Sequence, residues 1–233
     1  MLPLTSRHRP PSGNSGLWES ECRRMLRSIG GIGDTVVSGS VSLNLSPEEL
    51  DSAQSLIFHS NVGDNFMVIS VGAKVTAKDW GEPNWERFLG CLLQALPRNP
   101  MGLAFIGSAD EHERSERLAR IWTGRTANFC GQTSPRVSAA ILANARLFVG
   151  HDSGPMHLAA SVGTPTISIF SAREQPGIWF PIGQEENVFY RNVPCRDCRL
   201  DVCTVNAKRC LTEIDPAEVA QRAAHLLDLA KAT

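Results

Sequence analysis

Asp152, Ser153, Gly154 and His157 stand close together in the run His151-Asp152-Ser153-Gly154-Pro155-Met156-His157. A carboxylate, a hydroxyl, a backbone without a side chain and an imidazole at this spacing can hold a ligand that carries both phosphate and sugar hydroxyls. The carboxylate accepts from hydroxyls, and the free N–H groups of a helix's first turn, with its dipole, take the anion. A nearby imidazole adds a donor that can be charged. A plainer reading stands beside this one: Asp, Ser and Gly serve only as caps and turns at many strand–helix junctions.

The element that must position these residues is a βαβ unit. An apolar strand, Leu147–Val149, runs into the polar loop, Pro155 opens a helix, Gly163-Thr164-Pro165 closes it, and the strand Thr166–Phe170 follows. Ser153 is placed to cap the helix, Gly154 lets backbone approach a ligand, and Pro155 suits the first helical position. In open parallel sheets, ligands collect at this carboxyl end of the strands.

The same alternation extends upstream. Strand 66–71 precedes a helix near Asn84–Leu96, strand 101–107 precedes a helix near Glu111–Trp122, and strand Asn128–Cys130 precedes a helix near Pro135–Ala143. Short apolar runs alternating with amphipathic helices predict an α/β fold, a parallel sheet covered on both faces. Ser46-Pro47-Glu48-Glu49 opens a helix to about Phe58, residues 171–211 read as loop, and Pro216–Ala230 reads as a closing helix. The expected organisation is a disordered arm over residues 1–20, a linker and helix over 21–63, and a Rossmann-like domain over 64–233.

The chain has 233 residues, 42% hydrophobic and 20% charged, with a net charge of −1. That balance argues against a dedicated nucleic-acid binder, which carries a basic face. No apolar run reaches the length of a transmembrane segment, and the N-terminus lacks the apolar core of a signal peptide. The expected location is cytoplasmic.

HDSGPMHLAASVGTP (151–165) resembles the signature of glycosyltransferase family 9, the bacterial heptosyltransferases of lipopolysaccharide synthesis, over a match of roughly residues 64–222. The resemblance implies the C-terminal, donor-binding half of a two-domain GT-B glycosyltransferase, with a single Rossmann-like domain here. It implies a nucleotide-diphosphate sugar donor, with ADP-heptose the first choice, and a lipid-linked glycan acceptor. A peripheral place at the inner face of the cytoplasmic membrane follows from such an acceptor. No cofactor is required for catalysis.

Residue by residue, the strand–loop stretch Gly72–Trp80 is similar to the family's segment ending in K-x-W, which makes Lys78 the phosphate lysine and Lys74 the second choice. Asp110 is the first choice for the family's ribose carboxylate and Glu111 the second. Asp152 accepts donor hydroxyls or orients Lys78, Ser153 and Gly154 offer N–H groups to the diphosphate, and His157 faces the same phosphates. Phe170-Ser171-Ala172-Arg173 departs from the family's F-G-P-T/D, so Arg173 becomes an alternative contact to phosphate or to an acidic sugar. The catalytic base is not assigned: Gly31-Ile32-Gly33-Asp34 looks like the family's base loop but lacks its preceding strand, and Asp34 is not carried over.

Cys195, Cys198, Cys203 and Cys210 lie within the loop 194–211. Structural zinc and reduced thiols packing the loop are both open, ahead of disulfides. Three functional readings follow. The first is a family 9 glycosyltransferase seen as its donor half, the second a donor-binding module without turnover of its own, the third a sugar-nucleotide epimerase of similar architecture.

Overall fold

The computed structural model describes residues 11–12, 16–29, 42–96 and 101–229. Gly31–Asp34 therefore lies outside the described residues. Six parallel strands form one sheet: β3 (Phe66–Ser70), β4 (Gly102–Phe105), β5 (Thr126–Asn128), β6 (Phe148–His151), β7 (Thr166–Phe170) and β8 (Val188–Tyr190). Their order is β5-β4-β3-β6-β7-β8, the doubly wound order in which strands are added first on one side of β3 and then, from β6 onward, on the other. The reversal falls between β3 and β6, which pair Val68 with Phe148 and Ser70 with Gly150. Loops leaving these neighbours diverge, and a crevice opens above them.

β3 and β7 are buried along their whole length, as a sheet covered on both faces requires. α3 (Glu82–Ala95) and α8 (Pro216–Leu229) pack together on one face. Trp80, Trp85, Phe88 and Leu92 fill the core beneath them. α2 (Pro47–Ser60), α5 (Pro135–Ala143) and α6 (Gly154–Ser161) cover the other face, over Phe66, Ile106, Phe148 and Met156. Local chemistry sets the helix starts. Ser46 and Glu49 form a reciprocal capping box ahead of Pro47, and Ser134 Oγ accepts the Val137 N–H at 3.2 Å.

Three expectations are corrected. The third strand lies at Thr126–Asn128 instead of 128–130, because pairing with β4 puts Thr126 opposite Leu103 and Asn128 opposite Phe105. Residues 171–211 are not all loop: Val188–Tyr190 adds an edge strand to β7. Only three residues long, it has too little periodicity to be read locally. Part of the arm expected to be disordered is also placed. β1 (Pro11–Ser12) pairs antiparallel with β2 (Leu17–Trp18), and Trp18 N–H donates to Pro176 O at 2.7 Å. Gly177, at φ +96°, permits this approach, since a Cβ there would stand 2.6 Å from Trp18 O. α1 (Glu21–Ile29) follows, and α4 (His112–Ala119) and α7 (Arg209–Thr212) complete the helices among the described residues.

Candidate donor-binding site

The segment after β3 carries Lys78, and the end of β6 carries Asp152. Across the switch point, Lys78 Nζ meets Asp152 Oδ2 at 2.5 Å, with both side chains largely buried. Two residues expected at the phosphate end of the site are thus in direct contact. The rest of the segment is bound from several directions. Arg114 donates to both oxygens of Asp79 and to Val71 O, while Thr76 and Ala77 donate to Asp201 O.

Beside this ion pair α6 begins. Ser153 holds the cap position, but its side chain does not cap the helix; its hydroxyl donates instead to His151 O at 3.3 Å. The capping expected of Ser153 is therefore absent, and the first turn keeps donors for an outside anion. Gly154 is exposed and has open space where a Cβ would stand. His157 is open to solvent on one side and crowded on the other. That desolvation lowers its pKa, opposed by Asp152 and assisted by Lys78, so the free site holds a neutral imidazole at pH 7, not the cation.

Two cavities meet here. The first, of about 320 Å³, lies over the ends of β3 and β4 and is lined by Gly72, Lys74, Gly107, Glu111, Ser153 and Gly154 among others. The second, of about 530 Å³, is lined by Lys78 and Asp152 themselves and includes His157, Arg173, Trp179 and Asp201. Lys74 is exposed and borders both.

The acidic residue facing the first cavity is Glu111, the second choice of the sequence. Ser108 and Glu111 form a capping box: Ser108 N–H and Oγ donate to Glu111 Oε1 at 3.2 and 3.0 Å. The bond turns the carboxylate back over Gly107 and Gly72, where a Cβ on either glycine would come within 2.1 Å of it. Its other oxygen is buried without a partner. Asp110, one position earlier, is exposed and borders neither cavity. The S-x-x-E spacing of Ser108–Glu111 was the available sequence signal.

Arg173 does border the second cavity, but its guanidinium is engaged. It donates to Leu200 O at 2.8 Å, to Asp201 at 2.7 Å and to Glu174 at 3.2 Å. It ties the cysteine loop to the site in place of offering a free cation. Trp179 stands over this wall, its Nε1–H donating to Glu174 at 2.6 Å.

All seven cysteines are free thiols. Among the described residues no group of three or more His, Cys, Asp or Glu side chains is placed to hold a metal ion. Cys195 Sγ accepts from Asn206 Nδ2 at 3.2 Å. Backbone N–H groups of Asn206, Lys208 and Val205 hold the Cys203 thiol below its ordinary pKa, while burial pushes Cys210 up. Among the described residues no helix is long and apolar enough to cross a membrane.

Comparison with known proteins bears on the fold and the family. Lipopolysaccharide heptosyltransferase 3 of Escherichia coli is 28% identical over 148 residues, which are 60% of this chain and 42% of that protein. The chain thus spans less than half the length of this curated relative. A family 9 glycosyltransferase from Veillonella parvula superposes with a TM-score of 0.72 at 16% identity, over 91% of this chain and 60% of the other. The E. coli heptosyltransferase WaaC with ADP does so with a TM-score of 0.53 at 22% identity, over 75% and 48%. These structures share the fold. The model of "Glycosyltransferase family 9 (heptosyltransferase)" matches residues 36–208, well over half of the sequence, and the chain belongs to that family.

Proposed function

We propose that this chain is the donor-binding half of a heptosyltransferase and holds ADP-heptose, or a close nucleotide-diphosphate sugar, across the switch point. The observation that carries the reading is the Lys78–Asp152 pair at 2.5 Å, set beside an uncapped helix start on the wall of the second cavity, which meets the first at Lys74, Ser153 and Gly154. The first cavity takes the nucleoside, with Glu111 accepting from ribose hydroxyls as carboxylates do in dinucleotide folds. Lys78 and the Ser153–Gly154 backbone take the diphosphate, and His157 stands over it. The second cavity takes the sugar. The relative solved with ADP supports adenine as the base, and the curated relative's name supports a lipopolysaccharide acceptor.

Transfer forms a bond from an acceptor hydroxyl oxygen to the anomeric carbon, gives that hydroxyl's proton to a base, and breaks the bond between the anomeric carbon and the diphosphate oxygen, which keeps the electron pair. Lys78 and the α6 dipole stabilise the charge that develops there. In the family resemblance the carboxylate base belongs to the other half, and a lipid-linked acceptor would bring that half to the inner membrane face. Calorimetry with ADP tests the donor reading. Lys78→Ala and Glu111→Ala should each weaken binding about tenfold or more, since a charge-assisted bond contributes ~1.5–3 kcal/mol. Asp110→Ala should leave it unchanged. No binding by the unaltered chain, or loss on Asp110→Ala alone, would reject this assignment.

A further inference from the structure

His151 ends β6, one residue before the motif that carries Asp152. Its side chain is fully buried and meets the Trp85 ring edge-on, with centroids 5.4 Å apart. Nε2 accepts the Trp80 N–H at 3.0 Å, and Nδ1 stands 3.0 Å from the carbonyl oxygen of Gly72. An imidazole that accepts at Nε2 must donate at Nδ1, so the ring is neutral with its proton on Nδ1. Burial favours the same state, pushing the pKa down to about 4.

Gly72 and Trp80 are the two ends of the segment that carries Lys78. We infer that His151 is a positioning residue for the diphosphate end of the site: one neutral ring closes both ends of segment 72–80 and sets the path on which Lys78 meets Asp152. An apolar residue of the same volume would fill the space against Trp85. It would leave the Trp80 N–H and the Gly72 carbonyl without their partner, so packing alone does not explain an imidazole here. From outside, Arg114 reaches residues next to both ends, Val71 O and Asp79, Lys208 Nζ donates to Asp79 O at 3.0 Å, and Thr76 and Ala77 donate to Asp201 O in the middle; none of these bonds takes the Trp80 N–H or the Gly72 carbonyl. His151 acts from the same strand end as Asp152, so anchor and lysine partner move together. The ligand part of this inference rests on the proposed donor site; the anchoring part does not.

The test uses the full chain, with His151→Phe to keep the ring volume and His151→Gln to keep an acceptor for Trp80. Amide hydrogen exchange without ligand comes first. Amides of 72–81 should exchange about tenfold faster in H151F, with β4 and β5 unchanged and H151Q in between. NMR titrations with ADP and with adenosine follow. H151F should bind ADP about tenfold more weakly and adenosine within about twofold of the unaltered chain, with partial recovery in H151Q. Unchanged exchange over 72–81, loosening of β4 and β5 to the same degree, or equal loss of ADP and adenosine would overturn the inference. If H151F fails to fold, H151Q must show the same localised pattern, and a wild-type pattern there overturns it. Should the unaltered chain bind neither compound, the donor-site reading falls, and the exchange result alone decides the role of His151.

Discussion

The two cavities that meet at Lys74, Ser153 and Gly154 are built differently. The first rests on strand ends: Gly72 follows β3, Gly107 follows β4, and a local capping box turns Glu111 over both glycines. The second is walled by side chains from distant loops, where Arg173 gathers Glu174, Leu200 and Asp201 and Trp179 leans on Glu174. A wall made of backbone and short-range bonds has few ways to change without disturbing the sheet. One made of ion pairs between loops can vary while the sheet stays as it is. In the proposed reading the second cavity is therefore the part of the site whose preference can change while the sheet stays intact.

The most damaging change should fall in the first cavity. Gly72→Ala puts a Cβ 2.0 Å from Glu111 Cδ and must expel the carboxylate. ADP and adenosine should then weaken together by about tenfold or more in calorimetry, with little change in melting temperature. Loss of ADP binding alone would mean that Glu111 does not serve the nucleoside, and the contrast between the cavities would fail.

A smaller effect is expected in the second cavity. Arg173→Gln removes both ion pairs and the tie to Leu200 while leaving Lys78–Asp152 in place. ADP affinity should stay within about twofold, and the extra affinity of a nucleotide sugar over ADP should fall several-fold, exposed ion pairs being weak individually. An ADP loss as large as that of Lys78→Ala would show that the two cavities act as one.

The smallest effect concerns pH. Desolvation holds His157 below its ordinary pKa in the free site, and a bound diphosphate would raise it. Binding then takes up a proton, so affinity through His157 should strengthen as pH falls from about 8 to about 6, changing at most a few-fold. The difference between the unaltered chain and His157→Gln isolates this from titration of the nucleotide. An identical pH profile in both would place His157 away from the phosphates.

Much of the fold was legible because its signals are local. Pro135–Ala143 and Thr166–Phe170 form where a serine–proline start and an apolar run place them. The resemblance carried Lys78 and Asp152 to one site although 74 residues separate them. Glu111 was legible too, through the S-x-x-E spacing, which marks it as the acid that a capping box turns back over the strand ends. What the sequence by itself determined is the alternation of strands and helices, the helix starts, and the loop that brings a carboxylate, a glycine and an imidazole to a strand end. Each depends on hydrogen bonds and periodicity within a dozen residues. Only the tertiary structure decided that His151 turns inward to close segment 72–80, that Arg173 is already neutralised by Asp201, and that Val188–Tyr190 becomes a strand. Those outcomes depend on which strands are neighbours and on which buried donors need an acceptor, and sheet order settles both.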